Sequence, residues 1–174
     1  MFKKLFQRTP SEERDQAREI TVLAPVDGDI VPLEAVDDPV FAQKMVGDGL
    51  AIMPTSDTVV APVAGTLTQL FPTGHAAGIT TPEGIEILIH VGMDTVELKG
   101  EGFTKLAEQG MEVEVGTPLI RLDLAKLQTT AKSLVAPVII TNMPKVEHLS
   151  KADAAPTRAG DSWLLKAKVR PAKS

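Results

Sequence analysis

The sequence predicts an all-β fold, a sandwich of short strands, and three observations carry that expectation. From Thr21 onward, Gly and Pro, 13 of each in the chain, punctuate short runs of Val, Ile, Leu and Thr. Few stretches between them are long enough for a helix. Val22-Leu23-Ala24-Pro25-Val26-Asp27-Gly28-Asp29-Ile30 returns as Val59-Val60-Ala61-Pro62-Val63-Ala64-Gly65-Thr66-Leu67, and Val135-Ala136-Pro137-Val138 echoes it again.

The elements follow in order. Residues 1–20 read as a tail, because Thr9 to Asp15 has too little apolar content to pack. Within it Phe2, Leu5 and Phe6 share one helical face, with Lys3, Lys4 and Arg8 around them, so residues 1–8 suit either an anionic membrane surface or plain solvent. Residues 21–174 form the folded domain. The two long copies read as a duplicated hairpin, with Gly28 and Gly65 taking a positive φ at the turn. Pro within each copy points to edge or bulged positions. Short helices are expected from Asp38 to Met45, with Asp38 as N-cap and Pro39 in the first turn, and from Asp123 toward Lys132. Ile85–Met93 alternates as a strand: Ile85, Ile87, Ile89, Val91 and Met93 face the core, and Glu86, Leu88, His90 and Gly92 face outward. Lys151 to Trp163 reads as a loop before a last strand at Trp163–Val169.

Composition narrows the chemistry. With 174 residues, 43% of them hydrophobic, folding buries about 70% of the unfolded chain's surface, enough for one core without staples. The chain has no cysteine, which removes disulfides, thiolate metal sites and cysteine nucleophiles. A net charge of -5 lacks the basic footprint of a nucleic-acid binder. No apolar run reaches the ~18 residues of a membrane-spanning helix. The N-terminus lacks a secretory signal pattern. A cytoplasmic protein is expected, free-standing, with peripheral membrane contact where the tail engages a bilayer.

Three histidines are present. His75 and His90 suit opposite arms of a hairpin whose turn falls near Thr80 to Gly84. Leu88 gives His90 a partly apolar surface, Gly92 leaves room for a backbone or a phosphate, and the small residues Ala76, Ala77 and Gly78 allow the second ring to approach. The pattern alone fits a functional pair or two accommodated structural histidines. His148 reads as structural or solvated.

Gly84-Ile85-Glu86-Ile87-Leu88-Ile89-His90-Val91-Gly92-Met93-Asp94-Thr95-Val96-Glu97-Leu98-Lys99-Gly100-Glu101-Gly102-Phe103 closely resembles the active-site segment of the glucose-type enzyme IIA of the bacterial phosphoenolpyruvate-dependent sugar phosphotransferase system. The resemblance extends over roughly residues 21–145, through Val40-Phe41-Ala42, Val46-Gly47-Asp48-Gly49, Ala61-Pro62-Val63 and Ile140-Thr141-Asn142-Met143. It implies a flattened antiparallel β-sandwich or barrel, a barrel-sandwich hybrid. It also implies that His90 takes a phosphoryl group from the phosphocarrier HPr and passes it to the enzyme IIB domain of a sugar transporter. His75 would then stabilise the phosphoryl group and Thr73 orient His75. By the same resemblance Val40, Phe41, Met45, Val46, Phe71, Leu88 and Val96 form an apolar partner surface rimmed by Asp38 and Asp94, although aliphatic residues in such a pattern also suit core packing. Ala77 and Gly74 depart from the family's usual phenylalanine and asparagine, which predicts a shallower wall near His75. No cofactor is obligatory. A regulatory zinc on His75, His90 and a partner's carboxylate is implied, as is a regulatory role read by transporters or other enzymes.

Two other readings compete. A zinc hydrolase needs three protein ligands, and the sequence has no His-x-His or His-Glu-x-x-His segment. A biotinyl or lipoyl carrier would place Lys99 on a hairpin turn, but the flanking residues do not match such modules.

Overall fold

The computed structural model describes Thr9 and residues 18–171. The first eight residues, where an amphipathic segment is expected, lie outside the described residues. Fourteen short strands and two short helices make up the described chain: β1 (Glu19–Leu23), β2 (Gly28–Pro32), α1 (Pro39–Ala42), β3 (Asp48–Pro54), β4 (Thr58–Val60), β5 (Gly65–Leu70), β6 (Ala76–Thr80) and β7 (Glu86–His90), then β8 (Phe103–Lys105), β9 (Glu112–Val113), β10 (Pro118–Leu122), α2 (Leu124–Thr130), β11 (Ala136–Ile140), β12 (Val146–Lys151), β13 (Pro156–Thr157) and β14 (Trp163–Val169). The expected tail of residues 1–20 ends sooner than that, because Ile20 is buried and pairs with Ala167.

All recorded strand pairs are antiparallel. The main sheet has eight strands in the order β13-β2-β3-β11-β7-β6-β5-β9, and two three-stranded sheets, β1-β14-β12 and β4-β10-β8, complete the structure. The architecture is an all-β sandwich without a closed barrel.

The duplicated segments are not hairpins. β1 pairs with β14 while β2 pairs with β3 and β13, and β4 pairs with β10 while β5 pairs with β6 and β9. Each copy is a corner at which the chain leaves a small sheet and enters the large one, with Pro25 or Pro62 at the bend. The two corners bind each other reciprocally: Leu23 N–H donates to the Pro62 carbonyl at 3.0 Å, and Val60 N–H to the Pro25 carbonyl at 2.7 Å. Around them Ala24 is tied to Ser162 and Gly160 as Ala61 is tied to Thr117 and Gly116. Internal duplication is thus realised as an approximate two-fold relation between strand corners. Gly28 and Gly65 do not take the expected positive φ. Glycine is needed because a Cβ would lie 2.1 Å from the Met53 carbonyl oxygen at Gly28 and 2.3 Å from that of Thr80 at Gly65.

Burial sorts into two clusters on either side of the main sheet. The inner one includes Ile85, Ile87, Ile89, Val91, Val138 and Ile140. The outer one joins Leu33, Val36, Phe41, Ala51, Met93, Val135 and Ile139, with Leu88 and Val31 packed against it. All five residues of β11 are buried, as a strand covered on both faces requires. Met93 therefore departs from the expected alternation: β7 ends at His90, Gly92 turns the chain at φ 79°, and the Met93 side chain enters the outer cluster.

Both expected helices form, but shorter. The Asp38 carboxylate accepts the Val40 N–H at 2.9 Å with Pro39 opening α1, and Asp123 caps α2 through Lys126 N–H at 3.1 Å. α1 stops at Ala42, and Lys44 at φ 57° reverses the chain before Met45. The last strand spans Trp163–Val169 as expected, while the preceding loop contributes β13 to the edge of the main sheet.

Candidate functional site

β6 and β7 form the expected hairpin, with Ala76 opposite His90 as the last ladder pair. One residue further on, Val91 N–H donates to the His75 carbonyl at 2.7 Å. Register alone thus places His75 beside His90. Their ring centroids are 5.2 Å apart and the planes nearly perpendicular, at 78°.

Each imidazole is held through Nδ1. His90 Nδ1 lies 2.9 Å from the Gly92 carbonyl oxygen. A carbonyl only accepts, so Nδ1 carries the proton and the lone pair stays on Nε2. His75 Nδ1 is hydrogen-bonded to the Thr73 hydroxyl. When that hydroxyl donates, the His75 proton sits on Nε2, leaving an acceptor nitrogen on one ring and a donor on the other.

The rings differ in access. His75 is only 3% exposed, whereas His90 is half-buried. The Phe71 ring stands edge-on to His75 at 5.2 Å and 81°, and the Phe41 ring is tilted against His90 at 5.1 Å and 52°. Burial, then the neighbouring His90, pushes the His75 pKa from 6.5 down to about 4. Burial also lowers that of His90, opposed by the Gly92 carbonyl and by the negative charges of Asp38 and Asp94. Both rings are neutral near pH 7.

Several residues of the expected apolar surface are exposed. Met45 is 68% exposed, and Val96, Val40 and Val46 are also exposed. Leu88 and Phe71 are half-buried and wall a groove of about 380 Å³ that continues over Gly78 to Thr68, Thr80, Glu86 and Thr141. Phe41 is the exception: at 6% exposure it belongs to the outer cluster, a prop beneath His90 rather than a docking residue. Asp38 and Asp94 rim the site, the latter in the left-handed region at φ 56°.

Of the two visitors expected at Gly92 the structure shows a backbone: a Cβ there would lie 2.8 Å from the Ser133 carbonyl oxygen and 2.5 Å from Thr95 Cγ2. Ala77 packs in the inner core and forms no part of the wall near His75. Gly74 faces Phe103, with φ 74° closing the Phe71–Gly74 turn. Lys99 follows a 3-10 turn at Thr95–Leu98 rather than capping a hairpin. His148 is exposed on β12, in a different sheet from the pair.

Sequence reasoning overlooked the Gly92 carbonyl and the outer cluster beneath the site. The unbroken apolar run from Leu134 to Ile140 was the available signal, since a strand without alternation has both faces covered. Among the described residues no group of three or more His, Cys, Asp or Glu could hold a metal ion. His75 and His90 supply at most two nitrogens, fewer than a zinc site requires.

The sequence and the fold both match known proteins. The family described as phosphoenolpyruvate-dependent sugar phosphotransferase system, EIIA 1, matches residues 20–146. A glucose-specific EIIA component of Halalkalibacterium halodurans is 46% identical over 172 residues, covering 98% of this chain and 99% of the relative. One from Staphylococcus epidermidis is 41% identical over 165 residues, covering 95% and 97%. Among solved structures, glucose permease IIA from Mycoplasma capricolum superposes with a TM-score of 0.80 at 41% identity, covering 85% of this chain and 95% of that one. The chain belongs to the EIIA 1 family of the phosphoenolpyruvate-dependent sugar phosphotransferase system.

Proposed function

We propose that this chain is a phosphohistidine relay: His90 Nε2 accepts a phosphoryl group from HPr and yields it to the enzyme IIB domain of a sugar transporter. The observation that carries the reading is the His90 Nδ1 contact with the Gly92 carbonyl. It leaves Nε2 as the one His90 ring nitrogen with a free lone pair, on a half-buried imidazole.

In the acceptance step the Nε2 lone pair attacks phosphorus in line as the bond from phosphorus to the donor breaks, and that electron pair leaves with the donor. The transition state is loose and spreads charge over three oxygens, so catalysis amounts to placement and charge stabilisation. His75, protonated on Nε2 when Thr73 donates to its Nδ1, supplies a neutral donor to those oxygens. The His90 proton stays on Nδ1, donated to the Gly92 carbonyl, which stabilises the positive charge the ring gains on phosphorylation. In the onward step the same bond is broken from the other side. The chain therefore cycles through a phosphohistidine rather than turning over a substrate alone.

The partner surface serves two visitors in turn. Val40, Met45, Val46 and Val96 offer apolar area without a fixed charge code, the Phe71–Leu88 groove takes a protruding side chain, and Asp38 and Asp94 favour a basic rim on the partner. Zinc would bind here only with ligands from a partner added to the Nε2 atoms of His75 and His90, since both Nδ1 atoms are committed.

The test is phosphorylation from phosphoenolpyruvate with enzyme I and HPr, followed by mapping of acid-labile phosphate. Label should reach the wild-type chain and be lost in His90→Ala. Label that persists in that variant would sink the assignment.

A further inference from the structure

We infer that Thr95 is a positioning residue for His90: its hydroxyl and methyl clamp the Val91–Gly92 segment, so that the Gly92 carbonyl keeps the imidazole in its Nδ1–H form. The inference rests on the relay reading, in which Nε2 must be bare.

Thr95 is fully buried, although it stands between Asp94 and Val96, which are both exposed. Its Oγ1–H donates to the Val91 carbonyl at 2.6 Å. The other polar groups of this turn are held by the rest of the fold: Val91 N–H by the His75 carbonyl, Gly92 N–H by the Val135 carbonyl at 3.0 Å and Met93 N–H by the Ser133 carbonyl at 2.9 Å. The Val91 carbonyl is thus held by Thr95, and the Gly92 carbonyl is the group that receives His90.

The methyl contributes separately. Gly92 sits at φ 79°, where glycine moves more freely than any other residue. A Cβ on it would lie 2.5 Å from Thr95 Cγ2 and 2.8 Å from the Ser133 carbonyl oxygen, so these two groups close on Gly92 from outside. Without the hydroxyl, the Val91 carbonyl loses its partner in a buried setting, and the Val91–Gly92 peptide is anchored on one side alone, by Gly92 N–H at the Val135 carbonyl. A peptide tilting about that remaining anchor shifts the Gly92 carbonyl that follows. Once its acceptor turns away, nothing holds the proton on Nδ1, and a proton on Nε2 blocks the nucleophilic nitrogen.

The experiment compares the full chain, 15N-labelled, as wild type, Thr95→Ser, Thr95→Val and Thr95→Cys, above the pH range in which imidazole titrates. Histidine ring nitrogen shifts are read without any phosphoryl donor, alongside urea stability and the rate of acceptance at saturating HPr. Wild type and Thr95→Ser should show His90 in the Nδ1–H form, with rates within about threefold of each other. Thr95→Val should show a mixture of tautomers and a loss of about ten- to a hundredfold in acceptance, while the ring signals of His75, held by Thr73, stay unchanged. A folded Thr95→Val that retains the Nδ1–H form overturns the inference, as does a Thr95→Ser variant as impaired as Thr95→Val. If Thr95→Val does not fold, Thr95→Cys decides: a weaker donor should give an intermediate mixture, and an unchanged tautomer refutes the clamp. Because the ring signals need no donor protein, a wild type with the expected tautomer and no labelling would sink the relay reading alone.

Discussion

His75 and Val91 are joined by a backbone hydrogen bond of 2.7 Å, one residue past the last ladder pair of β6 and β7. The two imidazoles are therefore brought together by main chain and not by each other. Removing the His75 ring should leave His90 and its Gly92 contact in place, so the nucleophile survives and the transition-state donor is lost. His75→Ala should therefore still take label from HPr onto His90, with acceptance and onward transfer to enzyme IIB each slowed by about a hundredfold, the usual cost of losing one preorganised donor to a charged transition state. Rapid-quench labelling and a chase with unlabelled IIB measure the two steps, and a variant as fast as wild type in either would contradict it.

The buried imidazoles also set a pH dependence of stability. The His75 pKa is lowered from 6.5 to about 4, so between those values the unfolded chain binds the proton and the folded chain does not. Stability then rises with pH across this window and is lost as pH falls from 6.5 toward 4. The His90 shift has the same direction. Urea unfolding should show a decline on the order of 2–3 kcal/mol attributable to His75 over that window. His75→Gln, which has no proton to bind, should show a shallower decline than wild type.

How much of this was readable in the sequence depends on whether the signal was local. The alternation of Ile85, Ile87 and Ile89 against Leu88 and His90 gave the strand and the outward histidine, and Asp38-Pro39 gave a cap, because each rests on neighbours in the chain. The duplicated Ala-Pro-Val segments were visible as a repeat, yet their meaning was not. A strand-turn-strand pattern does not say whether its arms pair with each other or with remote strands, and here β1 finds β14 and β4 finds β10. Phe41 and Met93 were misplaced for a related reason: the outer cluster joins five separate stretches of chain, and no period in any one of them announces it.

The corners also explain two glycines whose role the sequence misstates. A Cβ at Gly28 or Gly65 would strike a neighbouring strand's carbonyl oxygen at 2.1 or 2.3 Å, and a strand backbone cannot give way without breaking its ladder. Gly65→Ala should therefore cost several kcal/mol, as overpacking against main chain does. Gly110 offers the contrast, with φ 96° but nothing within 4 Å of a Cβ, so Gly110→Ala should cost only about 1–2 kcal/mol of backbone strain. Urea midpoints of the two variants rank them, and a larger loss at Gly110 would refute the close-approach account.

Docking and support should part company at the apolar face. Val96 and Met45 are exposed, whereas Phe41 is buried with its ring 5.1 Å from that of His90. A charge placed on the surface must be desolvated when a partner lands, but costs the free protein little. Val96→Glu should thus raise the KM for HPr by about tenfold, roughly 1.4 kcal/mol, with stability and the saturated rate near wild type. Val115→Glu, also at an exposed position but on the loop between β9 and β10, should leave that KM unchanged. Phe41→Ala should behave in the opposite way: it opens a cavity in the outer cluster, lowers stability by about 3 kcal/mol or more, and loosens the ring that does the chemistry. Its saturated transfer rate should fall, whereas Val96→Glu is overcome by adding HPr. If Phe41→Ala instead kept full stability and lost only affinity, Phe41 would be a contact residue after all.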